Sequence, residues 1–379
     1  MTQQVIKIKL IIYKKIVMMN KLDKDYLDLV NDILTNGSLK NTRNGDTMAI
    51  FGAEIKHDMR SGFPLLTTKK MFLRGIAVEL EWFLKGGTNI KYMVDKGVNI
   101  WVGDSHKRYT DITSANNSDY NEWMKDNLDG TLSMYTEKEF IEKIKTDISF
   151  SEKWGSIGPG YGHQWRNYGA QYLLTHSQHS FLSHKNGIDQ LANVINTLKA
   201  NPDDRRMIVN AWNPEELKDC LLPPCHYSFQ FYSEELSSNE RWLLYLEKTK
   251  TWEVVTDNLK MDEDFDYIGI PKRSLSLKWN QRSCDIPLGI PYNIASYGLL
   301  LEIVAKQVNM QPKMLIGSLG DAHVYLNQIE QISHQTTLIP YELPTITLPD
   351  DVTIDNFLFE NMILNNYESH PPIKITLSN

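Results

Sequence analysis

The chain has 379 residues, 41% hydrophobic and 23% charged, enough to bury a sizeable core as one large domain or two smaller ones. Its formal net charge of −7 excludes a protein that coats nucleic acid or an anionic membrane by bulk charge, so any anion site must be built from a few chosen arginines. The three cysteines, Cys220, Cys225 and Cys284, cannot form a disulfide framework, and a reducing, cytoplasmic compartment is expected.

Residues 5–17 are apolar but interrupted by Lys7, Lys9, Lys14 and Lys15, and no small-residue cleavage site follows. The stretch is neither a signal peptide nor a membrane span, and residues 1–18 are expected to be a dispensable, disordered extension. Tyr26, Leu27, Val30 and Leu34 recur at helical spacing before Asn36-Gly37, predicting a helix over 21–34. Residues 47–59 read as a strand. Residues 73–85, closed by Gly86-Gly87, read as a buried helix that carries two carboxylates, Glu79 and Glu81. From 102 to 154 the composition turns polar, with helical periodicity returning at Phe140, Ile141 and Ile144, so a peripheral insertion is expected. An amphipathic helix over 189–198 runs into the breaker cluster Asn201-Pro202-Asp203-Asp204. Strands are expected at 207–209, 227–232 and 274–279, with the charged stretch 233–273 forming an elongated surface hairpin. Residues 293–308 are the most apolar helix candidate, and 352–376 read as further strands. The sum is one α+β domain over 19–379 with insertions at about 102–154 and 233–273.

Cys225 stands between Pro223-Pro224 and a strand start. Proline fixes φ, so the thiol is presented from a stiff turn, as a positioned nucleophile requires. By residue type alone a buried structural cysteine is the favoured reading, since free cysteine is among the most often buried types. Arg205-Arg206, Arg282-Ser283 and Arg43 offer guanidinium forks and a hydroxyl suited to phosphate oxygens, and cations near the cysteine are expected to lower its pKa. Solvated surface arginines remain the alternative for each set. Asp285, Asn293, His323 and Tyr325 are polar residues in apolar stretches, where an unpaired group would cost stability; an asparagine amide can read an imide edge such as that of uracil. No His-Glu-x-x-His or paired Cys-x-x-Cys occurs, and no metal is expected.

These residues sit in long ordered blocks. They include Gly62-Phe63-Pro64-Leu65-Leu66-Thr67-Thr68-Lys69, Glu79-Leu80-Glu81-Trp82-Phe83-Leu84 and Tyr161-Gly162-His163-Gln164-Trp165-Arg166. Asp204-Arg205-Arg206, Ala211-Trp212-Asn213-Pro214 and Pro223-Pro224-Cys225-His226 follow, then Gln281-Arg282-Ser283-Cys284-Asp285, Pro291-Tyr292-Asn293-Ile294-Ala295-Ser296-Tyr297 and Gly320-Asp321-Ala322-His323-Val324-Tyr325. Together they resemble the thymidylate synthase family from about residue 19 to the last residue.

The resemblance implies a mixed β-sheet flanked by helices, one sheet face forming a homodimer interface, and reductive methylation of dUMP to dTMP by 5,10-methylenetetrahydrofolate. It implies that Cys225 attacks C6 of dUMP. The phosphate would be held by Arg43, Arg282 and Ser283, with Arg205 and Arg206 supplied by the partner subunit. Gln281 and Asn293 fall among the substrate contacts, Asn293 on the uracil edge, while His323 and Tyr325 match contacts to the sugar hydroxyl. Glu79 and Tyr161 match the proton-moving groups and Asp285 the carboxylate on the pterin. Trp101, Leu288 and Tyr292 match the folate wall, and Lys69 a contact to the glutamate tail. The related reading is a dUMP or dCMP hydroxymethylase, in which water rather than hydride reaches the methylene; a catalytically silent RNA-binding homologue is the reading from another class. No membrane and no nucleic acid are required.

Overall fold

The computed structural model describes residues 20–113, 134–170, 187–250 and 261–378. They form two compact units, one of residues up to Ile76 with 193–209 and 225 onward, the other of 77–192 with 210–224. The extension expected at 1–18 lies outside the described residues.

The first unit is built on strands β1 (Ser38–Thr42), β2 (Gly45–Asp58), β3 (Ile208–Asn210), β4 (His226–Glu235), β5 (Arg273–Asp285) and β6 (Gln311–Tyr325), in the order β1-β2-β6-β5-β4-β3. The β1/β2, β2/β6 and β4/β5 pairs are antiparallel, whereas β5 and β6 run parallel. A parallel pair needs a crossover connection, and the apolar helix Gly289–Gln307 supplies it, packing on both strands. The helix Lys21–Asn36 buries Leu22, Tyr26, Leu27, Val30 and Ile33 and lies on β2 and β6. The expected α+β class, a mixed sheet flanked by helices, is therefore what the chain adopts. At one close approach the sequence had to be glycine: a Cβ on Gly317 would stand 2.3 Å from the Trp279 ring, so Gly317 opens the space that Trp279 occupies on the inner face of β5.

Three stretches differ from expectation. The connection between β4 and β5 contains helices Ser238–Thr249 and Met261–Tyr267 instead of an extended hairpin; residues 251–260 lie outside the described residues. A capping box, Ser237 with Glu240, starts the first helix, and Arg241 lies 5.2 Å over the Phe265 ring while pairing with Asp266. Of the strands expected over 352–376, only Ile363–Asn365 forms, pairing antiparallel with Thr345–Thr347. Strand β6, 15 residues long, was not singled out, because glycines and polar side chains interrupt its alternation. In the second unit, the polar stretch after 102 is helical at 102–113, Glu137–Thr146 and Ile148–Trp154. Phe140 and Ile144 are buried there as their spacing requires.

One carboxylate fastens the first helix to the loop before the site. Asp23 is fully buried and accepts from the backbone N–H groups of Thr67 and Thr68 at 3.0 and 2.9 Å, from the Thr68 hydroxyl at 2.6 Å and from the Asn20 amide at 2.6 Å. Truncation would leave two buried N–H groups without an acceptor. Asp23→Ala is expected to lower the unfolding free energy by roughly 3 kcal/mol, read as a shift of the urea midpoint at neutral pH.

Candidate active site

Strand β4 begins at His226, directly after the thiol-bearing Cys225. The Cys225 carbonyl accepts the Arg282 N–H at 2.9 Å, and the β4/β5 register slips between His226 and Ser228. Such a bulge re-aims side chains at a strand end. Burial pushes the Cys225 thiol above its ordinary range, and the Arg282 guanidinium pulls the other way. The expected lowering by cations is thus present but outweighed by desolvation. Arg205 and Arg206 are exposed on their turn and take no part in it. Cys284 is fully buried.

The residue after Cys225, His226, joins a stack that sequence reasoning left without a role. The Trp279 ring lies parallel to Tyr297 at 5.4 Å, and the Tyr297 hydroxyl is 2.8 Å from His226 Nδ1. Burial drops the His226 pKa to about 3, so its imidazole is neutral and fixed. His226 and Tyr297 both sat in quoted motifs; their pairing across the fold carried no signal in the chain. Trp279 also donates to Gln281 Oε1 at 3.2 Å, and Gln281 donates to the Ser283 carbonyl at 3.0 Å. Gln281 thereby holds the Arg282-Ser283 backbone from within.

At the end of β5, Asp285 turns the chain into the crossover helix. Its carboxylate accepts the Leu288 N–H at 2.9 Å and the Gln328 amide at 3.3 Å, and burial pushes its pKa up. Ile286 donates to the His323 carbonyl at 3.0 Å. Lys69 is buried, donates to the Pro287 carbonyl at 2.5 Å and is lowered by burial to about 8, with Asp285 and Asp23 opposing. A Cβ on Gly289 would lie 3.8 Å from Asn293 Oδ1 and 3.9 Å from Asp285 Cβ, so both polar side chains border the same bare glycine. Tyr292 and Leu288 are partly exposed on the same turn. Gln328, unmarked in the sequence reading, also donates to the Thr376 carbonyl at 2.9 Å and links the last described stretch to Asp285.

His323 and Tyr325 end β6 with their rings 5.2 Å apart at 89°. His323 Nδ1 is 3.1 Å from the Asp321 carbonyl. Arg43 occupies the exposed β1/β2 turn, donating to Asn44 at 3.1 Å, and its charge reaches Tyr325, whose pKa burial raises. The first unit therefore gathers Cys225, Arg282, Ser283 and Gln281 at one strand end and Asp285, Asn293, Leu288 and Lys69 around one turn.

The second unit holds Glu79, Trp101 and Tyr161. The two carboxylates of the helix Leu73–Leu84 have different surroundings. Glu81 is fully buried and bonded to Tyr92 and to Lys96 at 3.1 Å. Among the described residues no cation acts on Glu79: it accepts from Trp101 Nε1 at 2.7 Å, and desolvation raises its pKa to about 7 against that hydrogen bond. Tyr161, at the start of the helix Tyr161–Asn167, packs 4.9 Å from Phe83 and 6.4 Å from Trp101. A carboxyl that exchanges its proton near neutrality, bonded to an indole that itself packs near a phenol ring, is equipped for acid–base work.

Among the described residues no group of three or more His, Cys, Asp or Glu is arranged to hold a metal ion, and no helix is long and apolar enough to cross a membrane. The fold and these groups are those of an enzyme. The family model described as Thymidylate synthase matches residues 24–379. Thymidylate synthase of Mesoplasma florum is 38% identical over 92% of this chain and 98% of its own, and that of Mycoplasma genitalium 39% over 92% and 97%. The Aster yellows witches'-broom phytoplasma protein of the same name is 40% identical over 90% and 95%. The chain belongs to the thymidylate synthase family. It has thymidylate synthase function, a methyl transfer, and these relatives do not favour the hydroxymethylase alternative.

Proposed function

We propose that the chain converts dUMP to dTMP with 5,10-methylenetetrahydrofolate as donor of both the one-carbon unit and the hydride, releasing dihydrofolate. The observation that carries this reading is the Cys225 thiol at a strand start under the influence of Arg282. The thiol gives up its proton and its sulfur bonds C6 of the uracil, leaving C5 nucleophilic. C5 bonds the one-carbon unit carried on the folate; loss of the C5 proton breaks that carbon's bond to the folate nitrogen and leaves an exocyclic methylene, to which hydride from the tetrahydrofolate ring adds as sulfur is expelled from C6, giving the methyl group and dihydrofolate.

The residues divide the labour. Arg43, Arg282 and Ser283 hold the phosphate, with Arg205 and Arg206 arriving from a second copy of the chain in a homodimer. Asn293 fixes the base at its imide edge, Gln281 is a substrate contact beside the Arg282-Ser283 backbone it holds, and His323 with Tyr325 binds the sugar hydroxyl. Glu79 passes protons toward the C4 oxygen, and Tyr161 assists removal of the C5 proton. Asp285 holds the pterin, Trp101, Leu288 and Tyr292 wall the folate, and Lys69 is the cation on the folate side.

Mixing the protein with dUMP and methylenetetrahydrofolate is expected to give thymidylate and dihydrofolate by mass spectrometry. Formation of 5-hydroxymethyl-dUMP with tetrahydrofolate instead would mean that water reaches the methylene before hydride, and would overturn the reading.

A further inference from the structure

We infer that Arg273, which lies outside every motif quoted above, is a positioning residue for Arg205 and Arg206; the inference rests on the reading that those two guanidinium groups take the dUMP phosphate. Both arginines project from an exposed turn, so their reach depends on how firmly the backbone beneath them is held. The turn is tethered at successive points. Ser233, buried in β4, donates to the Pro202 carbonyl at 2.7 Å. Gln230 donates to the Arg205 carbonyl at 3.2 Å, and the Phe231 N–H donates to the Met207 carbonyl at 3.0 Å.

Arg273 joins these tethers. It opens β5 opposite Glu235, and its side chain is 13% exposed. Its Nε donates to Ser233 Oγ at 3.1 Å, one Nη pairs with the Asp203 carboxylate, and the other is 3.6 Å from Glu235. One planar fork thus grips Asp203 directly and Pro202 through Ser233, two of the three residues that lead into the arginine pair. It also neutralises a carboxylate two positions before Arg205. Asp204 is used differently: it takes the Arg206 N–H at 2.7 Å and its guanidinium at 2.6 Å. Without Arg273, Asp203 is an unpaired anion beside a phosphate site, able to draw the Arg205 and Arg206 heads back onto itself or repel the ligand.

The test compares Arg273→Met, Arg273→Lys and Asp203→Asn in the full-length protein. Arg273→Met is expected to raise KM for dUMP about tenfold with kcat within about twofold of wild type, the signature of lost phosphate positioning. Its affinity for 2′-deoxyuridine, which has no phosphate, should be unchanged. Arg273→Lys keeps the charge but not the fork and should recover part of the KM. A general structural defect would instead lower kcat and the affinity for both ligands alike. If Arg273→Met does not fold, Asp203→Asn removes the same tether from the exposed side and should raise KM for dUMP alone. KM at the wild-type value in the folded variants, while Arg206→Ala raises it, would overturn the inference. Unchanged KM in both Arg205→Ala and Arg206→Ala would instead overturn the phosphate reading beneath it.

Discussion

Cys225→Ala is expected to abolish both dTMP formation and tritium release from 5-tritiated dUMP, a loss on the order of 10⁴-fold or more. On the proposed mechanism tritium leaves C5 only after sulfur has added to C6, so the release assay reads the first covalent step independently of the hydride transfer that ends the reaction. Neither remaining thiol can stand in. Cys284 is fully buried, donates to the Gln281 carbonyl at 3.7 Å and has its thiol pushed far up by burial. Cys220 is raised to about 11 by burial and by the acidic Glu216 and Asp219. The Cys225 thiol is itself raised, with Arg282 as the opposing influence, so in the free protein it rests protonated at neutral pH. On the proposed mechanism its proton leaves as the sulfur attacks, a step in which positive charge at Arg282 would stabilise the thiolate. Full release by Cys225→Ala would remove the nucleophile from the mechanism.

Much of the frame was legible because local rules and global packing agreed. The first helix shows a period that matches the face it buries, while β2, the helix carrying Glu79 and the crossover helix are legible from residue type and apolar content, the crossover helix being buried on nearly every side. Failures came where the deciding interaction lay far along the chain. The 233–273 stretch looked like an extended hairpin because its charge masks two helices, whose organising contact is Arg241 on Phe265 and Asp266. Strand β6 hides behind glycines such as Gly317, which is small because Trp279 needs its space. The same limit applies to the candidate site. Its motif residues were readable one by one, whereas the stack of Trp279 on Tyr297 that fixes His226, and the amide of Gln328 on Asp285, are pairings that no spacing reveals. The direction of the Cys225 shift was also beyond the sequence, since it depends on how much burial offsets Arg282.

Glu79→Gln is the second large effect expected: kcat falls about 10²–10³-fold, and the limb of the kcat–pH profile that Glu79 contributes near pH 7 disappears. Wild-type Glu79 has a pKa of about 7, so near neutrality both its forms are populated and the carboxyl can give and recover a proton. Glutamine keeps the oxygen that accepts from Trp101 Nε1 at 2.7 Å in the parent, preserving the shape while removing the exchangeable proton. The same substitution has a stability signature of opposite sign. In the unfolded chain a glutamate releases its proton near pH 4.5, but folded Glu79 holds it until about pH 7. Between those values the folded state binds more protons, so this residue's contribution to stability falls as pH rises and levels off above pH 7. Glutamine carries no such dependence. Melting temperatures at pH 5 and pH 8 should therefore show the variant gaining on the wild type at the higher pH while its activity is lost. A variant that loses activity and stability together at pH 8 would mean that Glu79 acts as a structural anion and not as a proton carrier.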